Sequence, residues 1–399
     1  MKKQCVIVLM LCCLLSGICQ AGGDPALPSS VDKNNATGAD ATVTIGAIDN
    51  LQAESAILVD LHTGKTLYEW NVDEVLPPAS ITKIMTLLLV IEAAERGDVQ
   101  YSDLVTASEH ACSMGGAQIY LKVGEQMSVE ELMKAVSIAS ANDAAVALAE
   151  HIAGSESLFV AKMNERAREL GMSQTTFQNA CGLDAESHVT TARDIARMSV
   201  ELCKHEKAFA YSTTWMDSVR NGAFQLVNTN KLIRTYRGIT GLKTGSTGKA
   251  KCCLSATATR DDVALCAVVM GCETGAIRFE SAAALLDYGF ATFERVNLTD
   301  SIELPEIRIR YGTEESVQPV CDADTSVLLA RGKKERLHQT VEIREELNAP
   351  IRAGEVVGTI VITCGEEEIA RVPIIVQTAV ERLSWLQAFS RLLSAFRIF

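Results

Sequence analysis

Three short segments hold polar residues whose types and spacing suit nucleophilic chemistry. The first is Pro77-Pro78-Ala79-Ser80-Ile81-Thr82-Lys83. A serine at a helix start holds its hydroxyl and backbone N–H at the positive end of the dipole. A lysine three residues later lies one turn on, on the same face. It becomes a base when burial or a neighbouring cation makes its proton labile. Alone, the segment reads as a serine cap before an ordinary helix, with Lys83 in solvent. The second is Ser140-Ala141-Asn142, inside the apolar stretch from Val136 to Ala147. Polar side chains there need partners, and both face a cleft if the helix breaks. Alone, it reads as a loop between two helices. The third is Gly241-Leu242-Lys243-Thr244-Gly245-Ser246-Thr247. As a strand it puts Lys243, Gly245 and Thr247 on one face and Thr244 on the other. Gly245 admits close approach to the backbone. Lys243 and the Thr247 hydroxyl suit a carboxylate. Alone, it reads as an edge strand with a bulge.

The elements around these segments follow from periodicity. Ala56–Asp60 and Thr66–Trp70 read as a hairpin turned at His62-Thr63-Gly64-Lys65. Helical spacing runs over Ala79–Arg96, Val129–Ile152, Phe159–Leu170, Thr191–Cys203 and Phe279–Phe290. Strands are predicted over Leu242–Lys249, Lys251–Thr259 and Val263–Gly271. Helices around one antiparallel sheet give an α+β class. After Phe293 short alternating runs begin: Ile302–Leu304, Ile307–Ile309, Ser316–Val320, Ser326–Leu329, Thr340–Ile343, Glu355–Cys364 and Ile369–Ile375. They predict a small all-β domain.

Both ends differ from the middle. Residues 1–21 have Lys2 and Lys3, a short apolar run from Val6, and Ala21 at a cleavage position, which reads as an export signal. The run is too short for a comfortable membrane span. Ile18 before Cys19 opposes a lipoprotein reading. Residues 22–45 read as a flexible leader. In 376–399, Val380, Leu383, Leu386, Phe389, Leu392, Leu393 and Phe396 make one apolar helical face, with Trp385 and Arg382, Arg391 and Arg397 beside it. That combination suits a helix lying in a membrane interface. The domain reading is therefore signal 1–21, leader 22–45, α+β domain 46–293, all-β domain 294–375 and amphipathic helix 376–399.

The chain has 399 residues, with 37 basic against 50 acidic side chains and a net charge of −13. The acidic balance excludes a generic nucleic-acid binder, because polyanion binding needs a basic face. With 48% apolar residues, disordered and collagen-like compositions are excluded. Thirteen cysteines are too few for a disulfide-dense scaffold, and none is spaced as a zinc site. Four lie within 1–21, so an odd number remains and at least one thiol stays free. Cys252 and Cys253, adjacent in a strand, point to opposite faces. None of the six histidines is placed as a triad base, and His188 reads as structural.

Taken together and in this order, the three segments resemble the signatures of the penicillin-recognising serine acyl-transferases. The chain is most similar to their low-molecular-mass serine-type D-alanyl-D-alanine carboxypeptidases (peptidase family S11). Thr176-Phe177-Gln178-Asn179, Gly182-Leu183-Asp184, Thr190-Thr191-Ala192-Arg193-Asp194 and Asp287-Tyr288-Gly289-Phe290 match that subgroup's pattern. So do the all-β domain and the amphipathic tail. The family usually has proline where Ala180 stands. The resemblance implies a β-lactamase/transpeptidase-like fold and a set of residue roles. Ser80 is the nucleophile and Lys83 takes its proton. Ser140 and Asn142 relay the proton and hold the substrate amide. Lys243 keeps the site cationic, which favours a neutral Lys83. Thr244 and Thr247, with Arg278, bind the substrate carboxylate along the Lys243-Thr244-Gly245-Ser246-Thr247 strand. The N–H groups of Ser80 and Ser246 form the oxyanion hole. The implied partners are peptidoglycan stem peptides ending in D-Ala-D-Ala, β-lactams, and a membrane surface met by the C-terminal helix. The implied location is outside the cytoplasm, at the outer face of the membrane and the wall. No metal or cofactor is called for. A class A β-lactamase would need a deacylating glutamate, and no convincing counterpart stands between Ser140 and Lys243. The sequence is also compatible with a DD-endopeptidase acting on peptidoglycan cross-links, and with a non-catalytic penicillin- or peptidoglycan-binding protein.

Overall fold

The computed structural model describes residues 48–299, 302–321 and 325–395. The expected signal at 1–21 and leader at 22–45 lie outside the described residues. The central sheet is built from β1 (Ser55–Asp60), β2 (Thr66–Trp70), β3 (Ile239–Thr247), β4 (Lys251–Arg260) and β5 (Val263–Cys272). Its order is β2-β1-β5-β4-β3, with every neighbour antiparallel. Strand β3 is therefore an edge, with one side of its backbone unpaired in the sheet.

The interior strands β1 and β5 are buried at every residue, which is why they read as continuous apolar runs. Successive side chains of a strand point to opposite faces, and both faces here are covered. Ile57, Val59, Cys266 and Val268 pack into one core with Ile84 and Leu88. Ala56, Leu58, Leu265 and Ala267 pack into a second core with Ala282, Leu285 and Leu286. The first core contains α1 (Lys83–Glu95), α2 (Val129–Ile138), α3 (Asn142–Ala153) and α4 (Ala192–Cys203); the second contains α5 (Gly275–Thr292). Asn142 to Ala149 of α3 are all buried, so that helix carries small apolar residues around its circumference.

Three sequence expectations change at their ends. The helix expected over Ala79–Arg96 begins as a tight 3-10 turn, Ala79–Thr82, before α1. Ser80 therefore sits inside that turn and makes no capping hydrogen bond to it. The helical stretch expected over Val129–Ile152 is two helices, broken where Ser140 takes a φ of 61°. The tail helix spans Trp385–Ala395 rather than starting near 376. Val380 belongs instead to the core of the β domain, with its backbone bridged to Ile351.

The all-β part has a four-stranded antiparallel sheet containing Leu337–Ile343, Glu355–Cys364 and Glu367–Val376. A three-stranded sheet pairs Ile307–Arg310 with Ser316–Val317 and Glu346–Asn348. Ile302–Leu304, expected as a strand, forms none. Ile307, Leu347, Ile360, Ile362 and Ile374 lie in the core of this part.

One buried ion pair ties the central sheet to the strand pair after α5. Arg295 lies on Phe293–Asn297, which pairs with Ser326–Ala330. Its guanidinium reaches the fully buried Asp60 at 2.9 Å. Asp60 also accepts from the hydroxyl of Thr63 at 2.7 Å. Removing one partner of a buried pair strands the other charge. Arg295→Leu should therefore cost about 3 kcal/mol in urea unfolding. A loss under about 1 kcal/mol would mean that solvent screens the pair.

Candidate active site

The turn bearing Ser80 is wedged between two glycines. A Cβ on Gly182 would lie 1.9 Å from the carbonyl oxygen of Ala79, and Gly182 has a φ of +89°. A Cβ on Gly245 would lie 3.0 Å from both Ala79 Cβ and the Pro78 carbonyl oxygen. Ala79 itself is held at a φ of 48°, which a non-glycine residue adopts only when its surroundings impose it. A third restraint is a chain of hydrogen bonds. The Gln178 N–H donates to His188 Nδ1 at 3.0 Å. That fixes the tautomer, so His188 Nε2–H donates to Thr82 Oγ1 at 2.8 Å. The Thr82 hydroxyl then donates to the Ala79 carbonyl at 2.8 Å. Burial pushes the His188 pKa down to about 4, so it stays neutral and structural, as read from the sequence.

Lys83 comes directly after that turn and is fully buried. Its ammonium has three oxygen partners: Ser80 Oγ at 3.0 Å, Asn142 Oδ1 at 2.6 Å and the Cys181 carbonyl at 2.5 Å. The last two accept only. They fix two N–H directions and leave the third aimed at the Ser80 hydroxyl. A neutral Lys83 would thus turn its lone pair on Ser80. Burial brings its pKa down to about 8, with Cys181 and Asp143 pulling the other way.

Each partner has its own support. Asn142 donates through Nδ2 to the Gly115 carbonyl at 2.6 Å, which leaves Oδ1 for Lys83. Asp143 accepts from the N–H groups of Ile119 and Leu121, holding the 115–121 loop on the same helix start. Asn179 Oδ1 accepts from the N–H groups of Cys181, Gly182 and Leu183, shaping the turn that presents the Cys181 carbonyl. Ala180 donates its N–H to Glu156 at 2.9 Å, a bond that proline in its place could not make.

Ser140 is buried at the helix break, and its Oγ makes no hydrogen bond. Lys243 is buried as well, with its Nζ donating to the Thr244 carbonyl at 3.2 Å. Burial pushes Lys243 well down, and Lys83 and Arg278 add to it. The sequence reading allowed burial or a neighbouring cation as the cause of a labile Lys83 proton; burial is the first cause. Thr244 shares a 2.6 Å hydrogen bond with Thr229, and Thr247 donates to Asp184 at 2.7 Å. Both hydroxyls expected to take a carboxylate thus have protein partners here. Arg278 donates through Nη1 to the carbonyls of Gly245 and Cys253, which lays it along the strand backbone. Ser246 is exposed on the edge strand.

The structure thus brings Ser80, Lys83 and Asn142 into one hydrogen-bonded cluster, with Gly245 of the β3 strand packed against the same turn. Sequence reasoning missed the Cys181 carbonyl, Asn179, Thr229 and the link from Asp184 to Thr247. Only Asn179 left a signal, an Asn-x-x-Gly turn ahead of Leu183.

Known proteins resemble this chain over most of its length. The Peptidase_S11 family model, D-alanyl-D-alanine carboxypeptidase, matches residues 41–274. A second model, penicillin-binding protein 5, C-terminal domain, matches residues 293–382. D-alanyl-D-alanine carboxypeptidase DacF of Bacillus subtilis (strain 168) is 39% identical over 345 residues, 85% of this chain and 89% of that protein. Penicillin binding protein 5 from Haemophilus influenzae matches in structure with a TM-score of 0.71 at 31% identity, covering 85% of this chain and 100% of that one. Penicillin-binding protein D2 from Listeria monocytogenes, solved in an ampicillin-bound form, covers 60% of this chain and 98% of that one, with a TM-score of 0.55 at 32% identity. The order of the three motifs, the cluster around Lys83 and a family match over more than half the length lead to one conclusion: the chain belongs to the peptidase S11 family of D-alanyl-D-alanine carboxypeptidases.

Proposed function

We propose that this chain removes the terminal D-alanine from peptidoglycan stem peptides ending in D-Ala-D-Ala, through an acyl-enzyme on Ser80. The observation that carries this reading is the Lys83 ammonium, buried 3.0 Å from Ser80 Oγ and braced by two obligate acceptors. Neutral Lys83 takes the Ser80 proton as Oγ attacks the carbonyl of the penultimate D-alanine. The oxyanion forms against the N–H groups of Ser80 and of Ser246 on the open edge of β3. One such donor is worth about 10²–10³ in rate. The proton passes through Lys83 and Ser140, whose hydroxyl is free of other partners, to the departing D-alanine amine. Asn142 holds the substrate amide. The terminal carboxylate lies against Thr244, Thr247, Lys243 and Arg278. Its charge offsets the crowding of Lys83, Lys243 and Arg278, which each feel burial and, for Lys243, the other two. Water then attacks the acyl ester and frees Ser80. A β-lactam presents a carbonyl and a carboxylate in the same places and is opened by the same serine.

The export signal at 1–21 would bring the enzyme to its substrate outside the cytoplasm. In the 46–293 and 294–375 division, the β domain acts as a spacer between membrane and wall. The helix Trp385–Ala395 supplies the contact with the membrane surface. Trp385, Leu386, Phe389 and Leu392 stand exposed along it, while Arg391 is turned back onto the carbonyls of Gly312 and Thr313. Among the described residues no single helix is long and apolar enough to cross a membrane.

The deciding experiment is the intact mass of residues 22–399 with and without benzylpenicillin, beside Ser80→Ala, followed by D-alanine release from diacetyl-Lys-D-Ala-D-Ala. A penicilloyl adduct that needs Ser80, with D-alanine release, is expected; an adduct without release would point to the endopeptidase.

The pH dependence of acylation is set by Lys83. Only its neutral form takes the proton, so at pH 7 about one molecule in ten is competent. The acylation rate should rise with pH and level off above about 8. A rate flat from pH 6 to 9 would remove Lys83 as the base.

Deleting residues 385–399 leaves Val376 and Val380 in the β-domain core. Activity should persist while binding to anionic vesicles is lost. Vesicle binding retained by the truncated chain would place the membrane contact elsewhere.

A further inference from the structure

A row of three side chains crosses the sheet beside the substrate-binding strand. Ser246 of β3 is the register partner of Cys252 on β4, and Cys252 is the partner of Cys272 on β5. The Ser246 hydroxyl and the Cys252 sulfur lie 3.7 Å apart. Cys252 and Cys272 pack into the same core on the same face of the sheet, whereas Cys253 belongs to the opposite core. The opposite-face expectation for Cys252 and Cys253 thus holds. All nine described cysteines are free thiols.

The Cys252–Cys272 pair has the placement of a reactive dithiol. The two are register partners beside a bulge that falls between Cys252 and Leu254; directly opposed residues on antiparallel strands lie about 4.5–5.5 Å apart at Cα, inside the about 4.4–6.8 Å that a disulfide spans. Cys252 is half-buried and Cys272 is buried, so one thiol meets reagents and the other waits behind it. Burial pushes the Cys272 thiol up to about 12, and the greater exposure of Cys252 makes it the thiol a reagent meets first. A cation stands beside both. The Arg278 guanidinium interacts with Cys252 and Cys272, and its Nε is buried without a partner. The same guanidinium donates to the Gly245 carbonyl on the strand that carries Ser246.

We propose that Cys252 and Cys272 form a modification site, a dithiol that closes to a cross-strand disulfide and thereby slows acylation of Ser80. The oxidant is a small-molecule disulfide. Cys252 gives its proton to water and attacks one sulfur of that disulfide, and one thiolate leaves. Cys272 then gives up its proton and attacks Cys252 Sγ, releasing the second thiolate. The two leaving thiolates take up the two protons. Two protein thiols are oxidised and one disulfide is reduced to two thiols. The new bond draws Cys252 toward Cys272, away from Ser246. It also shifts the two sulfurs beside Arg278, whose guanidinium holds the Gly245 carbonyl. This consequence rests on the acyl-enzyme reading above; the disulfide itself does not.

The test treats the full chain with oxidised glutathione and reads two signals. Peptide mapping without reduction should show a 252–272 cross-link about two hydrogens lighter than the reduced pair. Acylation by a fluorescent penicillin should fall about tenfold, less than the full loss of an oxyanion donor, and recover on reduction. Cys272→Ala should keep the reduced rate and lose the response to oxidant. Absence of the cross-link in the wild-type chain overturns the proposal, whether or not the variant folds. So does a cross-link formed with an unchanged rate, or a fall that persists in Cys272→Ala. A reduced enzyme that penicillin never acylates would instead defeat the function proposed above, with the cross-link still readable.

Discussion

Everything in this site depends on taking the Lys83 ammonium out of water. An isolated buried ammonium is costly, and the cost is offset only by well-placed acceptors. Here those acceptors are Ser80, one turn away, and two groups from distant stretches of chain, Asn142 and the Cys181 carbonyl. Burial also weakens the lysine's hold on its proton, so the desolvation that the acceptors make tolerable is what brings its pKa down to about 8. Two obligate acceptors occupy two directions, and the remaining one meets the Ser80 hydroxyl.

That arrangement demands a backbone that cannot relax. The turn before α1 holds Ala79 in a conformation alanine avoids, pinned by Gly182, Gly245 and the Gln178–His188–Thr82 relay. The helix break at Ser140 is a second such place. Strain of this kind persists only where the surroundings over-determine it. The surroundings here are a sheet buried on both faces and an alanine-rich helix packed on every side. The two large cores thus serve to keep two short turns in place.

Charge is arranged to the same end. The chain is strongly acidic, yet Lys83, Lys243 and Arg278 converge near the edge strand β3. Asp143, next to Asn142 in the chain, is committed to backbone N–H groups. A site of this kind favours an anionic group on its ligand, since that charge relieves the repulsion among the three cations.

The three motifs, their order, the α+β pattern and the β-rich C-terminal part were legible in the sequence, because they depend on residue type and local period. The hairpin, the strands β3 to β5 and the helices on either side of Ser140 lie close to where periodicity put them. Other features were not legible. Val380 looked like part of an amphipathic face, because a helical period cannot tell a terminal helix from a strand bridge that a distant Ile351 will complete. Ser80 looked like a cap, because a 3-10 turn and the first turn of an α-helix share the same residues. His188, Asn179 and the carbonyl of Cys181 gained their parts only when a loop about a hundred residues away closed over the turn. The sequence by itself determined which side chains were available for chemistry and which elements would carry them, since both depend on neighbours a few residues away. Only the tertiary structure decided how deeply Lys83 is desolvated, which acceptors hold its ammonium and which hydroxyls are already engaged, because desolvation is set by atoms that are remote in the chain and close in space.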